Sequence, residues 1–280
     1  GRMSTVTIHR EFEQRSDEWR AARCGMVTAS TIGRLVTVGA PGPSAYACPA
    51  CPAVIGAPCV SLRNGLAIKT THPARVEVAT QQAATAPPVL TVADNDTSRG
   101  VLSSLAAERI TGLVEDTPTT GDMWRGVLAE PFARDAYAAH YGVAVEEVGL
   151  IVHTLDNGQQ VGYSPDGLVG DDGLIEAKAP RAKNHVDTIL AGEIPAAYMA
   201  QLQTGLFVSG REWVDYVSFS GGLHLWTKRV VPQPEWQAVI LDALAYAEAQ
   251  IADRLERYKA ATDGLPLTDP LPTFDDLITI

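Results

Sequence analysis

The stretch GYSPDGLVGDDGLIEAKAP, Gly162 to Pro180, sets Asp166, Glu176 and Lys178 in the spacing D-x9-E-x-K. Side chains alternate faces along a strand, so Glu176 and Lys178 project the same way while Ala177 points to the other side. Asp171-Asp172-Gly173 is turn chemistry that folds the two flanking runs into a hairpin and returns Asp166 towards Glu176. Two carboxylates and a lysine then share a small space. That is the material of a divalent-cation site beside a group able to orient or deprotonate a water.

Working outward towards the C-terminus, Arg181 and Lys183 add positive charge where a phosphate backbone would pass such a site. Pro195 to Gly210 reads as a helix, and on it Tyr198 and Gln201, three apart, share a face. Glu212 to Ser220 and Leu223 to Val231 read as a hairpin across Gly221-Gly222. Trp236 to Tyr258 is a long amphipathic helix with a structural stripe from Val239 to Ile251. The Pro-rich acidic segment 263–280, with Phe274 among aspartates, reads either as a docking tail or as disorder.

Towards the N-terminus, strands are expected at 143–152 and 160–163, preceded by helices over 99–112 and MWRGVLAEPFARDAYAAHYG (123–142). Glu130 lies in the second helix between Leu128 and Phe132. Its residue type alone allows a surface salt bridge or a site carboxylate. SDEWRAARCGMVTASTIGRLV (16–36) reads as two short helices joined at Gly25, with Trp19 and Met26 as core. Arg23 and Ser30, a guanidinium and a hydroxyl at a helix start, are materials of a phosphate pocket.

Residues 37–97 break the pattern with Pro, Gly, Gln, Ala and Thr clusters. Inside them CPACPAVIGAPC and THPAR give the spacing C-x2-C-x7-C-x12-H, so that Cys48, Cys51, Cys59 and His72 form a tetrahedral ligand set for a structural zinc. So small a piece buries too little apolar surface to hold itself together, and metal binding would provide much of its folding free energy. Cys24 is the alternative to His72 as fourth ligand, though its apolar helical setting favours burial. Between Ser44 and Val76 there are three basic residues (Arg63, Lys69, Arg75) and no acidic ones.

The composition bounds the rest. With 280 residues and 46% hydrophobic content the chain supports one α/β domain carrying an insertion. The net charge of −11 argues against coating nucleic acid by bulk electrostatics but leaves a nuclease open. No apolar run reaches membrane-span length, no secretory signal is seen at the N-terminus, and the reading is cytosolic, in a phage-infected or lysogenic bacterial host. Three of the four cysteines fall within twelve residues, which in that compartment suggests metal before disulfide.

Five short motifs occur in one order: R-x3-VTAS (Arg23 to Ser30), RG-x3-E-P (Arg125 to Pro131), SPDG (Ser164 to Gly167), IEAK (Ile175 to Lys178) and Y-x2-Q-x-Q (Tyr198 to Gln203). In them the chain resembles the YqaJ and phage lambda exonuclease family of the PD-(D/E)-x-K nuclease superfamily. The resemblance implies a restriction-endonuclease-like core, a mixed central sheet flanked by helices, over 1–40 and 95–262. The zinc-binding insertion is then 44–76 and 77–94 a linker. It further implies that Asp166, Glu176, Glu130 and the Ala177 carbonyl hold one or two Mg2+ or Mn2+ ions. Lys178 would activate the attacking water, supported by Gln201 and Tyr198, and Arg23, Ser30 and Ser164 would hold a terminal 5′-phosphate. The activity implied is a 5′ to 3′ double-strand DNA exonuclease releasing 5′-mononucleotides. Its partner would be a single-strand annealing protein in phage recombination, and its assembly a homo-oligomer, a trimer by resemblance. The insert resembles phage and actinobacterial zinc modules sharing CP-x-C, Gly-x-Pro-Cys and a terminal His-x-x-Arg, and this implies nucleic-acid contact.

Two further readings stay open on these residues: a structure-specific or restriction-type endonuclease on the same core, and a zinc-dependent DNA-binding adaptor whose nuclease core is inactive. The CRISPR-adaptation nucleases share a related core, but their iron–sulfur cysteines bracket it, and here no cysteine follows Cys59.

Overall fold

The computed structural model describes residues 4–114 and 120–271, so the last nine residues of the acidic tail, Phe274 among them, lie outside the described residues. The first half of the chain runs β1 (Thr5–His9), α1 (Asp17–Arg23), β2 (Val27–Thr28), β3 (Val36–Gly39), α2 (Pro73–Gln82), β4 (Val89–Val92), α3 (Asp96–Thr111) and α4 (Gly121–Tyr141). The second half runs β5 (Leu150–Thr154), β6 (Gln160–Tyr163), β7 (Gly167–Val169), β8 (Gly173–Lys178), α5 (Ala182–Ala191), α6 (Met199–Ser209), β9 (Trp213–Ser218), β10 (Trp226–Val230) and α7 (Pro234–Ala261).

Local chemistry sets several of these limits. Ser16 caps α1 by accepting from the Trp19 N–H, and Asn95 with Ser98 forms a reciprocal capping box on α3. The α4 helix starts at the Thr120 cap and stops at Gly142, whose left-handed backbone (φ 64) a residue with a Cβ adopts only at a cost. Within α4, Pro131 has no N–H to give the Val127 carbonyl, one turn back beside Glu130.

Most strands form two four-stranded sheets ordered β1-β5-β6-β2 and β10-β9-β8-β7, each with one parallel pair, β2 with β6 and β8 with β9. The expected mixed α/β core is therefore present, with its ladder bonds divided between two sheets rather than gathered in one. Helix α6 packs on β5, β6 and β9 and so spans both, while α7 lies against α3 and α6, and α4 covers β8 and β9. Leu174, Val214 and Tyr216 of one sheet share a fully buried cluster with Ile151 and Val161 of the other and with Ile240 and Leu244 of α7.

Two expectations within the core change. The second short helix after Gly25 is not formed: Val27 and Thr28 pair with Val161 and Gly162, and only Ile32–Arg34 makes a 3-10 turn. The reason is local competition. Thr31 Oγ1 accepts from the Thr28 N–H (3.0 Å) and donates to the Thr28 carbonyl (2.9 Å), bonds that replace helical ones. The strand expected at 143–152 begins as a strand only at Leu150, with Glu146 making an isolated bridge to Leu168.

The insert is closed at its base by β3 and β4, which pair antiparallel from Val36 opposite Val92 to Gly39 opposite Val89. The segment 77–94, expected as a linker, carries the end of α2 and all of β4. Within the insert the buried apolar cluster consists of Cys48, Ala53 and Cys59, with Cys51 and Ile68 against it.

Candidate active site

The hairpin of β7 and β8 sets Gly167 opposite Ile175, which brings Asp166 level with Glu176. Asp166 Oδ2 accepts from the Ala177 N–H at 2.6 Å. Glu176, only 3% exposed, is held from three sides. Its Oε1 accepts from Lys178 Nζ (2.8 Å) and Gln201 Nε2 (2.7 Å), and its Oε2 accepts from the Tyr163 hydroxyl (2.8 Å). Gln201 Oε1 in turn accepts from Lys178 Nζ at 2.9 Å, and the Tyr198 ring centroid lies 5.3 Å from the same ammonium. Strand β8, helix α6 and the 3-10 turn before it thus aim four side chains, Glu176, Lys178, Gln201 and Tyr198, at one place.

Glu130 approaches from α4. Its Oε1 accepts from Arg134 Nη1 (2.8 Å) and its Oε2 from Arg15 Nη2 (3.3 Å), while Arg134 also donates to the Asp166 carbonyl (3.3 Å). Gln14 Nε2 donates to the Pro165 and Val148 carbonyls and pins the segment before α1 onto the Ser164-Pro165-Asp166 loop. A cleft of about 570 Å³ opens here, lined by Arg15, Glu130, Pro131, Arg134 and Asp166 among others.

The electrostatics are those of a site short of positive charge. Burial, then the charges of Glu176 and Glu130, hold the Asp166 carboxyl well above its ordinary range; Lys178 and the Ala177 N–H offset only part of this. Burial alone would lower Lys178, but the Glu176 and Asp166 charges outweigh it and raise the ammonium, so Lys178 is charged when no metal is bound. Asp166, Glu176 and Glu130 are hard oxygen donors, which fits a hard divalent cation. Among the described residues, Cys48, Cys51, Cys59 and His72 form a metal-type cluster whose ligand atoms lie mutually within 4.8 Å.

The residues expected to hold a phosphate lie together around Trp19. Arg23 Nη2 reaches Ser30 Oγ and Thr28 Oγ1, both at 3.4 Å, and Ser30 Oγ lies 3.0 Å from Thr28 Oγ1. The Arg23 guanidinium stacks 3.9 Å over the Trp19 ring, and Trp19 Nε1 donates to Ser164 Oγ at 2.9 Å. Burial lowers Arg23 to about 10, against the opposing charge of Glu108, and its Nε is buried with no partner. Trp19, expected only as core, joins the two halves of the pocket.

Three contributors went unread in the sequence. Tyr163 looks like a strand residue, and only the packing of α6 on β6 turns its hydroxyl onto Glu176. Gly205 makes that possible: a Cβ there would lie 2.8 Å from the Tyr163 ring. Arg134, four residues after Glu130 on one helix, was legible as an ion pair. Arg15 lies far from Glu130 in sequence and carried no such signal.

In the insert, Cys48 Sγ lies 3.5 Å from His72 Nδ1. Cys24 donates instead to the Glu108 carbonyl at 3.3 Å, which leaves His72 as the fourth member of the zinc set. Residues 13–91 match a domain described as "Putative DNA-binding phage zinc finger domain", and residues 78–212, which hold Glu130, Asp166, Glu176, Lys178 and Gln201, match the YqaJ-like viral recombinase domain. The chain carries a YqaJ-like viral recombinase domain and a phage zinc-binding domain.

Solved structures agree with the recombinase assignment. An alkaline exonuclease (LHK-Exo) from Laribacter hongkongensis is similar at 26% identity and a TM-score of 0.63, over 90% of this chain and 100% of that one. The complex of LHK-Exo with dAMP gives 27% identity, the same TM-score of 0.63 and the same coverage of 90% and 100%. No curated protein matches the chain. The recombinase-domain match and the similarity to these exonucleases support a phage-type exonuclease, and the Cys3His cluster is suited to zinc. Among the described residues no helix is long and apolar enough to cross a membrane.

Proposed function

We propose that the chain is a Mg2+- or Mn2+-dependent exonuclease that digests double-stranded DNA from 5′-phosphorylated ends and releases 5′-mononucleotides. The observation that carries this reading is the joining of Asp166, Glu176, Lys178 and Gln201 in one network, one loop away from the Arg23, Ser30 and Ser164 pocket. The dAMP bound to LHK-Exo supports a mononucleotide product.

In this reading Asp166, Glu176, Glu130 and the Ala177 carbonyl hold the metal, which when bound supplies positive charge to the scissile phosphate and the departing oxygen. Lys178 orients the attacking water through its ammonium, whose direction Glu176 and Gln201 set from two sides. Tyr198 shields that ammonium with its ring. Arg23, Ser30 and Ser164 fix the terminal phosphate, so that the first phosphodiester lies at the carboxylates and the cut acquires a direction. The nuclease core comprises 1–40 and 95–262, with 44–76 as a DNA-contacting zinc module joined through 77–94 and 263–280 as a tail. The active form is a ring-like homo-oligomer that hands its single strand to an annealing protein.

Linear duplex with 5′-phosphate ends, linear duplex with 5′-hydroxyl ends and covalently closed circles test this together in magnesium buffer. The phosphorylated linear duplex should be digested fastest and the circles left intact. Rapid cutting of circles would sink the exonuclease reading in favour of an endonuclease on the same core.

A further inference from the structure

Arg75 ends the His-x-x-Arg signature of the insert and is one of its three cations, which in sequence suits a nucleic-acid contact. The structure takes it off the surface. Arg75 is 2% exposed and ranks among the largest fully buried side chains. Its five N–H donors meet five acceptors: Nε the Tyr46 carbonyl (2.8 Å), Nη1 the Ala57 carbonyl (2.7 Å) and Cys59 Sγ (3.6 Å), Nη2 the Val54 (3.1 Å) and Ser44 (3.3 Å) carbonyls. Tyr46 and Ser44 precede Cys48, Val54 and Ala57 lie between Cys51 and Cys59, and Arg75 itself sits in the first turn of α2 just after His72. One side chain therefore ties together every segment that bears a zinc ligand.

Its charge has no carboxylate partner among these five acceptors, and no Asp or Glu occurs from Ser44 to Val76. A buried cation needs a counter-charge. Three thiolates and a neutral imidazole around Zn2+ leave one negative charge on the cluster, and Arg75 touches one of those sulfurs. We propose that Arg75 is the internal counter-ion and positioning residue of the zinc centre: its guanidinium fork holds the cysteine-bearing loops in ligand geometry, and its charge balances the anionic Cys3His cluster. It is not a DNA contact. Arg63 and Lys69, both exposed, are the cations this module offers to nucleic acid.

This inference rests on zinc occupying the Cys3His cluster. The test uses the full chain as wild type, Arg75→Ala, Arg75→Lys and Arg63→Ala, with zinc affinity measured by competition against a chromophoric chelator. Groups outside the ligand set that orient it are worth roughly 10- to 100-fold in metal affinity, so Arg75→Ala should fall by about that much. Arg75→Lys keeps the charge but has a compact head that cannot span five acceptors, so it should recover only part of the loss. Arg63→Ala should bind zinc like wild type. Cobalt substitution reports on the sulfur directly, because losing the N–H donated to Cys59 Sγ shifts the thiolate-to-cobalt absorption. Should Arg75→Ala prove insoluble, Arg75→Lys carries both readouts. Equal zinc affinity and an unshifted cobalt band in the Arg75 variants overturn the proposal alone. A wild-type chain that takes up no zinc overturns the zinc reading and the proposal with it.

Discussion

The carboxylate site and the zinc module are both short of one sign of charge, and they solve the shortage in opposite ways. Around Asp166 the excess is negative, and the site is built on strands and helices of a large apolar core. In the module the buried excess is Arg75, and the apolar cluster around the ligands is a few residues, two of them the ligands Cys48 and Cys59. On the proposed reading a metal would supply chemistry in the first region and structure in the second. Losing magnesium should therefore cost activity, and losing zinc should cost folding.

The sharpest break in this contrast is Lys178→Ala. It should leave DNA binding largely intact and lower cleavage by about 10²- to 10⁴-fold, the range for a group acting on the reacting proton or water; single-turnover digestion beside an equilibrium binding assay measures both, and near-normal cleavage removes Lys178 from the mechanism. Next in size, Cys48→Ser should abolish stoichiometric zinc and open the insert to protease between Ser44 and Val76, with the core still folded. Normal folding and digestion by that variant would make the insert dispensable.

A smaller effect tests how rigidly the core holds its carboxylates. Gly205→Ala places a methyl 2.8 Å from the Tyr163 ring and should destabilise the protein by about 1–3 kcal/mol in denaturant unfolding, with Tyr163 displaced from Glu176. Asp166 supplies a pH test of the charge shortage. Its carboxyl is raised in the folded chain, so its stabilising contribution is present below the ordinary value of 3.8 and is lost as pH rises through the folded value. Asp166→Asn should therefore be more thermostable than wild type at neutral pH in magnesium-free buffer, and the gain should vanish in strong acid. A gain that persists there would mean the charge is not its source.

The smallest effect concerns the module surface. Arg63→Ala should weaken DNA binding a few-fold and reduce the salt dependence by about one phosphate contact, with zinc retained. An unchanged salt slope would leave the exposed face of the module without a role in binding.

How much of this was legible depended on distance along the chain. The hairpin from Asp166 to Lys178 could be read because a short turn and strand alternation place all three groups with no help from the rest of the fold. The same holds for the Cys48, Cys51, Cys59 and His72 set, where spacing and ligand chemistry suffice. Reading failed where hydroxyls compete with the backbone, as in the Thr28 to Thr31 turn taken for a helix. It failed again where residue type says nothing of burial: Arg75 counts as surface charge in any sequence tally, yet it is buried.

By itself the sequence determined which groups exist and which near neighbours share a face: Glu176 with Lys178, Tyr198 with Gln201, three cysteines with one histidine. Only the tertiary structure decided what those groups face. Packing α6 across both sheets put Gln201 and Tyr163 on Glu176, the approach of α4 set Glu130 and Arg134 beside Asp166, and closure of the insert buried Arg75 against Cys59. The physical reason is that local backbone preferences act over a few residues, whereas burial and charge pairing are settled between segments that meet only when the chain has folded.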